Sequence, residues 1–112
     1  MTDALAAAAE PTRRRILQLL ARGPQYAGQI AGHFDVTRSA VSQHLGVLAE
    51  AGLVVGERQG RQRLYRIDPS GIARLQAEIS SFWTAELDEL VRDAHHLSRR
   101  EHHPSTATEE TP

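Results

Sequence analysis

A set of small, uncharged polar side chains is the first feature of this sequence that could do chemistry. Ser39, Ser42 and Gln43 stand at i, i+3 and i+4, so they share one face if the segment is helical. Gly46 continues that face one turn further on. An ordinary solvated helix face carries Glu and Lys at such positions, whereas serine and glutamine donate and accept hydrogen bonds at base edges. The pattern predicts a face that lies flat against nucleic acid bases.

Arginine supplies every basic side chain, and the arginines are concentrated in the middle of the chain. Residues 11–66 hold nine arginines and three acidic residues, whereas residues 67–112 hold four arginines and nine acidic residues, so the net charge of −1 conceals a basic segment. Such a segment is typical of a polyanion-binding module. Because guanidinium suits phosphate and guanine, we expect Arg38 to meet one of these. Alternation in a strand puts Arg61 and Arg63 on the same face, as a positive patch.

Histidines near the end of the chain are the other group of side chains that could do chemistry. His95, His96, His102 and His103, together with Asp93, could bind a borderline divalent ion such as Ni(II) or Zn(II). The alternative is a polar tail whose histidines bind nothing, because ordering a tail opposes binding. The chain contains no cysteine, which excludes disulfides and thiolate metal sites. No cofactor is required by the sequence.

Catalysis and membrane insertion are both unexpected for this chain. The sequence contains no recognisable nucleophile with its base, no phosphate loop and no pair of converging acids. It has no apolar run of membrane-spanning length and no secretory signal pattern at its beginning. We therefore expect a cytoplasmic protein of one domain, with no enzymatic activity and no membrane partner.

Helix signals place the polar face on the third of three predicted helices with clear bounds. Apolar spacing predicts helices over residues 11–21 and 26–34. Thr37 predicts an N-cap, from which a helix runs to about Ala51, and Gly52 ends it. Val41, Leu45 and Leu48 lie on the opposite side of this helix from the polar face, as expected for residues that point into a core.

Strand and turn signals follow this helix, and a long helix follows them. Residues 53–57 and 63–67 are predicted strands around a hairpin tip that contains Gly60. The predicted fold is mainly α with a small β-hairpin, a winged helix-turn-helix of order α-α-α-α-β-β-α. A helix from Ile72 carries an apolar stripe and, at about 26 residues, would span roughly 40 Å. That exceeds so small a domain, so a second copy of the chain is the simplest partner.

Three strings resemble the ArsR/SmtB family of bacterial winged-helix repressors: EPTRRRILQLL, VTRSAVSQHLGVLAEAGLV and GRQRLYRID. The resemblance covers roughly residues 5–95. It implies a homodimer that binds a pseudo-palindromic operator, with the first and last helices packed across the two-fold axis. It further implies that the recognition helix, residues 38–51, lies in the major groove and that the wing, residues 57–63, reaches a phosphate or the minor groove.

The expected domain covers residues 1–97, and the polar segment that follows, residues 98–112, is expected to be disordered. Residue patterns and the resemblance together give two sets of site residues within the domain. The expected DNA-binding residues are Thr37, Arg38, Ser39, Ser42, Gln43, His44, Arg58, Arg61 and Arg63. The expected dimerisation residues are Leu5, Leu75, Ile79, Phe82, Trp83, Leu87, Leu90 and Val91.

Many members of the resembling family sense metals, and two motifs test for that here. Metal sensors of the thiolate type need cysteines near residues 27–32. In this chain those residues are AGQIAG, so a sensor site of that type is excluded. The other type needs acids and histidines near residues 68–71 and near Phe82 and Ala85, where only Asp68 could serve.

The expected function is a dimeric repressor. The alternatives are a Ni(II)- or Zn(II)-responsive regulator or activator using the C-terminal histidines, and a protein-interaction module, with a protein co-regulator as partner, that no longer binds DNA.

Overall fold

The computed structural model describes residues 3–101, with side chains described through residue 97. The described residues divide into two compact units, the first ending at Ile79 and the second beginning at Ser80, and each is treated separately below. In the described residues, the elements in chain order are α1 (Ala4–Ala9), α2 (Pro11–Leu20), β1 (Gln25–Tyr26), α3 (Ala27–Ala31), α4 (Arg38–Glu50), β2 (Val54–Gln59), β3 (Gln62–Ile67) and α5 (Pro69–Glu101).

Two acidic side chains cap the first two helices. The Leu5 amide donates to Asp3 Oδ1 over 3.1 Å at the start of α1, and the Arg13 amide donates to Glu10 Oε1 over 2.8 Å at the start of α2. Pro11 occupies the first turn of α2, where its missing N–H costs nothing. The prediction of a helix from residue 11 is confirmed. The sequence gives no bounds for α1 because a run of alanines favours helix without any apolar period.

The segment after α2 differs from the prediction. Residues 26–34 do not form one helix: α3 covers only Ala27–Ala31, and Gly32 is its C-cap. Tyr26 belongs instead to β1, which pairs antiparallel with β3 opposite Leu64. A two-residue strand has too little length to show alternation, so the sequence could not distinguish it from a helix start. The predicted hairpin is therefore part of a three-stranded sheet of order β1-β3-β2.

The hairpin has longer strands and a tighter turn than predicted. Pairing between β2 and β3 runs from Val54 opposite Ile67 to Gln59 opposite Gln62. Only Gly60 and Arg61 remain for the turn, and Gly60 has φ of 64°. Two-residue hairpin turns need such left-handed backbone, which glycine adopts without steric cost.

Buried side chains from most elements of the first unit form one core. The predicted core residues of α4 are confirmed, since Val41, Leu45 and Leu48 are all at most 1% exposed. The other buried hydrophobic residues are Ala7, Ile16, Leu20, Ile30, Leu53, Val54 and Leu75. Each buried aliphatic side chain the size of valine or leucine contributes about 1.5–3 kcal/mol to stability. This burial fixes the rotation of α4 and turns its polar face outward.

Thr37 and Gly52 bound α4 as expected. The Thr37 hydroxyl accepts from the Ala40 amide over 3.0 Å. At the other end, Gly52 has φ of 81°, and the Leu53 amide donates to the Leu48 carbonyl over 3.0 Å. Such a positive-φ glycine just past the last turn satisfies the final carbonyl groups and ends the helix.

Helix α5 begins one turn earlier than expected, at Pro69 instead of Ile72. Asp68 Oδ1 accepts from the Ser70 amide over 3.1 Å and from the Ser70 hydroxyl over 2.8 Å, so it caps the first turn. The predicted boundary between residues 97 and 98 falls inside α5, and residues 102–112 lie outside the described residues. Among the described helices, none has both the length and the apolar character needed to cross a membrane.

The order of α3, a turn and α4, followed by the β2-β3 hairpin, confirms the predicted winged helix-turn-helix. The turn residues between α3 and α4 lead directly into the Thr37 cap. The hairpin follows α4 after Gly52, so α4 and the wing belong to the same compact unit. The predicted DNA-binding residues of α4 and those of the wing therefore lie on neighbouring elements.

Candidate nucleic-acid interface

The outward face of α4 carries the polar set that the sequence predicted. Ser39, Ser42, Gln43 and Gly46 are all exposed. No neighbouring atom lies within 4 Å of the position that a Cβ at Gly46 would take. Because the opposite face of α4 is locked in the core, these groups stand on a rigid element. A flat face of this kind, with hydroxyl and carboxamide groups, can approach base edges closely.

Arg38 starts α4 and connects it to α3. Its guanidinium lies over Gly28, since a Cβ at position 28 would be 3.0 Å from Arg38 Nη2. A side chain at position 28 would displace the guanidinium. Because glycine has no side chain, Arg38 can lie against α3. Arg38 is exposed, as expected for a residue that contacts phosphate or guanine.

A groove of about 470 Å³ joins α4 to the wing. We call it the wing groove, and it is defined by Tyr26, Arg38, Ser42, Arg61, Arg63 and Tyr65. The structure therefore brings together residues that the sequence placed on two separate elements. Arg61, from the hairpin turn, and Arg63, from β3, line the same groove. Cationic groups that surround a cleft raise the local concentration of anions such as backbone phosphates.

The wing itself places two arginines directly opposite each other. Arg58 pairs with Arg63 across the β2-β3 ladder, and both are exposed. Like charges in this position destabilise a sheet. Arg63 Nη1 donates to the Gly56 carbonyl over 3.3 Å, which accounts for one of its donors. A phosphate bound here would offset the repulsion between the two guanidinium groups.

His44 lies on the flank of α4 and contacts the start of α2. Its Nδ1 is 3.2 Å from Arg13 Nη1 and 3.9 Å from Glu10 Oε1. The Arg13 backbone N–H lowers the pKa of Glu10 below its usual value, and the nearby charges of His44 and Arg13 lower it further against an opposing effect of burial. His44 therefore packs between α4 and α2, and its expected contact with DNA stays a prediction.

Two residues of the wing groove were missed in the sequence. Tyr65 lies two positions after Arg63 in β3, so alternation alone could have placed it on the same face. Tyr26 left no such signal, because it reaches the groove through the short strand β1. Its hydroxyl donates to Gln59 Oε1 over 3.2 Å, which ties the groove wall to the wing.

Two of the expected dimerisation residues pack against the core of the first unit. Leu75 is 7% exposed and belongs to the core of the first unit, which leaves little of it for a second copy. Ile79 is half-buried and packs against the same core. In the second unit, by contrast, Phe82, Trp83 and Leu87 are more than half exposed, with the first two rings edge-to-face and 5.5 Å apart.

The predicted metal ligands do not form a described site. Among the residues whose side chains are described, no three His, Cys, Asp or Glu side chains come together as metal ligands. Asp93, His95 and His96 lie on α5, while His102 and His103 lie outside the described residues. The metal site therefore stays a prediction of the sequence.

Comparison with known proteins identifies the family that this chain resembles. Residues 10–55, which include α2, α3 and α4, match the arsR family of bacterial regulatory proteins. The HTH-type transcriptional regulator Rv2034 of Mycobacterium tuberculosis is 46% identical over 81 residues, which cover 72% of this chain and 76% of Rv2034. Relatives of this kind are regulators and not enzymes, in agreement with the sequence analysis.

Two solved structures share the fold. A crystal structure described as a possible transcriptional regulator for arsenical resistance is 56% identical, with a TM-score of 0.75, and covers 83% of this chain and 97% of its own. The solution structure of the homodimeric winged helix-turn-helix DNA-binding domain Mb0332 of Mycobacterium bovis is 34% identical, with a TM-score of 0.57, and covers 88% of this chain and 82% of its own. The matched helices and these similarities show that the chain belongs to the arsR family of bacterial regulatory proteins.

Proposed function

We propose that this protein is a homodimeric transcriptional regulator that binds a pseudo-palindromic operator and represses the adjoining promoter. The observation that carries the proposal is the continuity of the outward face of α4 with the arginine-lined wing groove. One surface thus combines groups that read bases with groups that hold phosphates. A bound dimer represses where its operator overlaps a promoter, because it excludes the transcription machinery.

The two parts of this surface have different tasks. Ser39, Ser42 and Gln43 enter the major groove and contact base edges, where a good bidentate contact discriminates by about 1–3 kcal/mol. Arg38, Arg61 and Arg63 hold phosphates, which fixes the register of α4 on the duplex without reading sequence. Arg58 adds charge to the outer part of the wing. Thr37 contributes by capping α4, so its role in binding is to position the residues that follow it.

The exposed stripe of the second unit is the proposed dimer contact. Phe82, Trp83, Leu87, Leu90 and Val91 are each between 51% and 58% exposed. Apolar side chains in such a row are costly to leave in water and mark an interaction surface. The homodimeric state of Mb0332 supports a second copy of this chain as the partner. Leu5 of α1, which is 36% exposed, is proposed as a further dimer contact from the first unit. Two-fold symmetry of the protein would then be mirrored in the operator.

Selection of duplex DNA from a random library tests the proposal. We expect the full chain to enrich a palindromic sequence with two half-sites about one helical turn apart. Fluorescence anisotropy should then show at least about 10³-fold tighter binding than to a scrambled duplex, with affinity that falls steeply as salt rises. No enrichment, or binding that ignores both sequence and salt, would favour a protein-interaction module.

A transcriptional regulator acts where operator DNA lies, and we propose that this one acts in the cytoplasm.

Regulation by a metal ion is carried by no contact among the described residues. It rests on the imidazoles of His95, His96, His102 and His103 and on the suitability of imidazole for Ni(II) and Zn(II). A Ni(II)- or Zn(II)-responsive regulator therefore stays an alternative predicted from the sequence. In the other alternative, a different effector sets the affinity for DNA.

A further inference from the structure

A second groove lies in the first unit, away from the wing groove. It has a volume of about 630 Å³ and is bounded by α2, the connection after it, the end of β3 and the start of α5. We call it the α2 groove. Its size falls in the range of small-molecule sites, roughly 300–1,000 Å³. None of the residues that line it belongs to the expected DNA-binding or dimerisation sets.

The floor of the α2 groove is apolar. Leu17, Pro24, Ile67 and Ile72 contribute to it. Leu17, Ile67 and Ile72 pack against the buried core from one side and remain half-exposed on the other. Half-exposed aliphatic side chains that share a concave surface favour an apolar occupant, because it removes their remaining area from water.

The rim of the α2 groove is cationic. Arg14, Arg22 and Arg66 line it, and the lining residues described include no acidic side chain. Arg14 Nη2 donates to the Ala9 carbonyl over 2.7 Å. Arg22 and Arg66 are exposed, and their guanidinium groups make no hydrogen bond or ion pair within the part of the chain described with side chains. Two unpaired cations beside an apolar floor complement a ligand with an anionic head and an apolar body.

Arg66 lies outside the proposed DNA-binding surface. Arg66 stands opposite Val55 near the base of the hairpin. It lies five residues along the chain from Arg61, about 16 Å at 3.3 Å per residue, and alternation turns it to the other face of the sheet from Arg63 and Tyr65. A phosphate backbone that lies in the wing groove is therefore not positioned to satisfy Arg66.

We propose that the α2 groove binds a small amphipathic organic anion, with the apolar body over Leu17 and Ile72 and the charged head at Arg22 and Arg66. The anionic head can be a carboxylate or a phosphate, since guanidinium pairs with both. The site requires no DNA and is independent of the proposed regulatory function.

Decanoate and decyl phosphate, each below its critical micelle concentration, and decanol, below its solubility limit in water, are suitable probes of the full-length protein. Nuclear magnetic resonance of the ¹⁵N- and methyl-labelled chain should show shifts at Gly23, Leu17 and Ile72 with one or both anions, while Gly46 and Gly60 stay unchanged. Decanoate and decyl phosphate identify the preferred head. Decanol should bind at least about tenfold more weakly, because it lacks the charge-assisted hydrogen bonds. Equal binding of decanol, or shifts elsewhere only, would overturn the proposal.

Matched arginine variants complete the test. The double variant R22Q/R66Q should bind the preferred anion at least about tenfold more weakly, and R92Q, which removes a charge from α5 outside the groove, should bind it normally. Both variants alter exposed side chains, and unchanged thermal unfolding confirms that they fold. Equal affinity of the double variant and R92Q would contradict the assignment. Conversion of dimers to monomers by the anion, seen by sedimentation, would instead make the groove an interface between copies and also overturn it.

Discussion

Arg13 Nη1 lies 3.2 Å from His44 Nδ1, and this contact joins the start of α2 to the recognition helix α4. The same arginine donates from Nε to the Ala7 carbonyl over 2.7 Å. One side chain therefore links α1, α2 and α4 at the edge of the proposed DNA-binding surface. Glu10 completes the arrangement, since it caps α2 through the Arg13 amide and lies 3.9 Å from His44.

The charge of Glu10 should stabilise the fold only when the carboxyl group is ionised. Its pKa is lowered in the folded state, chiefly by the Arg13 backbone N–H. Stability from a lowered pKa is present above the unfolded value, 4.5, and is lost as the pH falls through the folded value. Glu10→Gln keeps the capping oxygen and removes the charge, so it should lower the free energy of unfolding at pH 7 and lower it by less at pH 3, where more of the carboxyl group is protonated.

Urea unfolding at pH 7 and pH 3, at one protein concentration, measures this effect. Because 34% of the Glu10 side chain is exposed, solvent screening should keep the difference below about 1 kcal/mol. Glu78→Gln, which removes an exposed carboxylate from α5, is the matched control. A loss in the Glu10 variant that is equally large at both pH values would show that the cap, and not the charge, is responsible.

Gly71→Ala should destabilise the protein because there is no room for a methyl group at this position. A Cβ at Gly71 would overlap the carbonyl oxygen of Gly52, where α5 crosses the end of α4. We expect a loss of about 1–3 kcal/mol in the free energy of unfolding, as for other overpacked sites. Gly46→Ala is the matched control, because open space surrounds that position. Equal stability of the two variants would contradict the close approach.

Arg61→Ala should weaken binding to operator and random DNA by similar factors. Arg61 lines the wing groove from the hairpin turn and is assigned to a phosphate. The slope of log affinity against log salt should fall by about one for each phosphate that is no longer neutralised, hence by about two for a dimer. Arg92→Ala, on α5, controls for net charge. A weakening confined to the operator would mean that Arg61 reads bases.

Trp83→Glu and Leu87→Glu should each produce monomers that bind the operator poorly. Both side chains are more than half exposed in the second unit and form the proposed contact with a second copy. A carboxylate there removes the apolar burial, worth about 25 cal/mol per Å², and adds a desolvation cost. Ala85→Glu, about 200° around the helix from Trp83, should leave the dimer intact. Sedimentation that finds dimers for both stripe variants would contradict this contact.

The sequence predicted those parts of the fold whose signals are local. The Thr37 cap and the spacing of Val41, Leu45 and Leu48 define α4 and its outward face completely. Strand β1 escaped prediction because it is only two residues long and its pairing with β3 joins residues that are far apart in the chain. The wing groove escaped for the same reason, since Tyr26 reaches it only through that pairing. Helical spacing placed Leu75 in the expected dimer stripe, and its packing in the core of the first unit could not be predicted, because spacing does not show which apolar residues of a long helix meet the protein's own core.

Base reading by the outward face of α4 is tested most directly by Gln43→Ala. Affinities of the wild-type protein, Gln43→Ala and the control Gln76→Ala should be measured for the selected operator and for each single base-pair change in one half-site. We expect Gln43→Ala to bind the operator about 1–3 kcal/mol more weakly and to show no preference at one position of the half-site, while Gln76→Ala behaves as wild type. Unchanged affinity and unchanged preference at every position in the Gln43 variant would contradict the account.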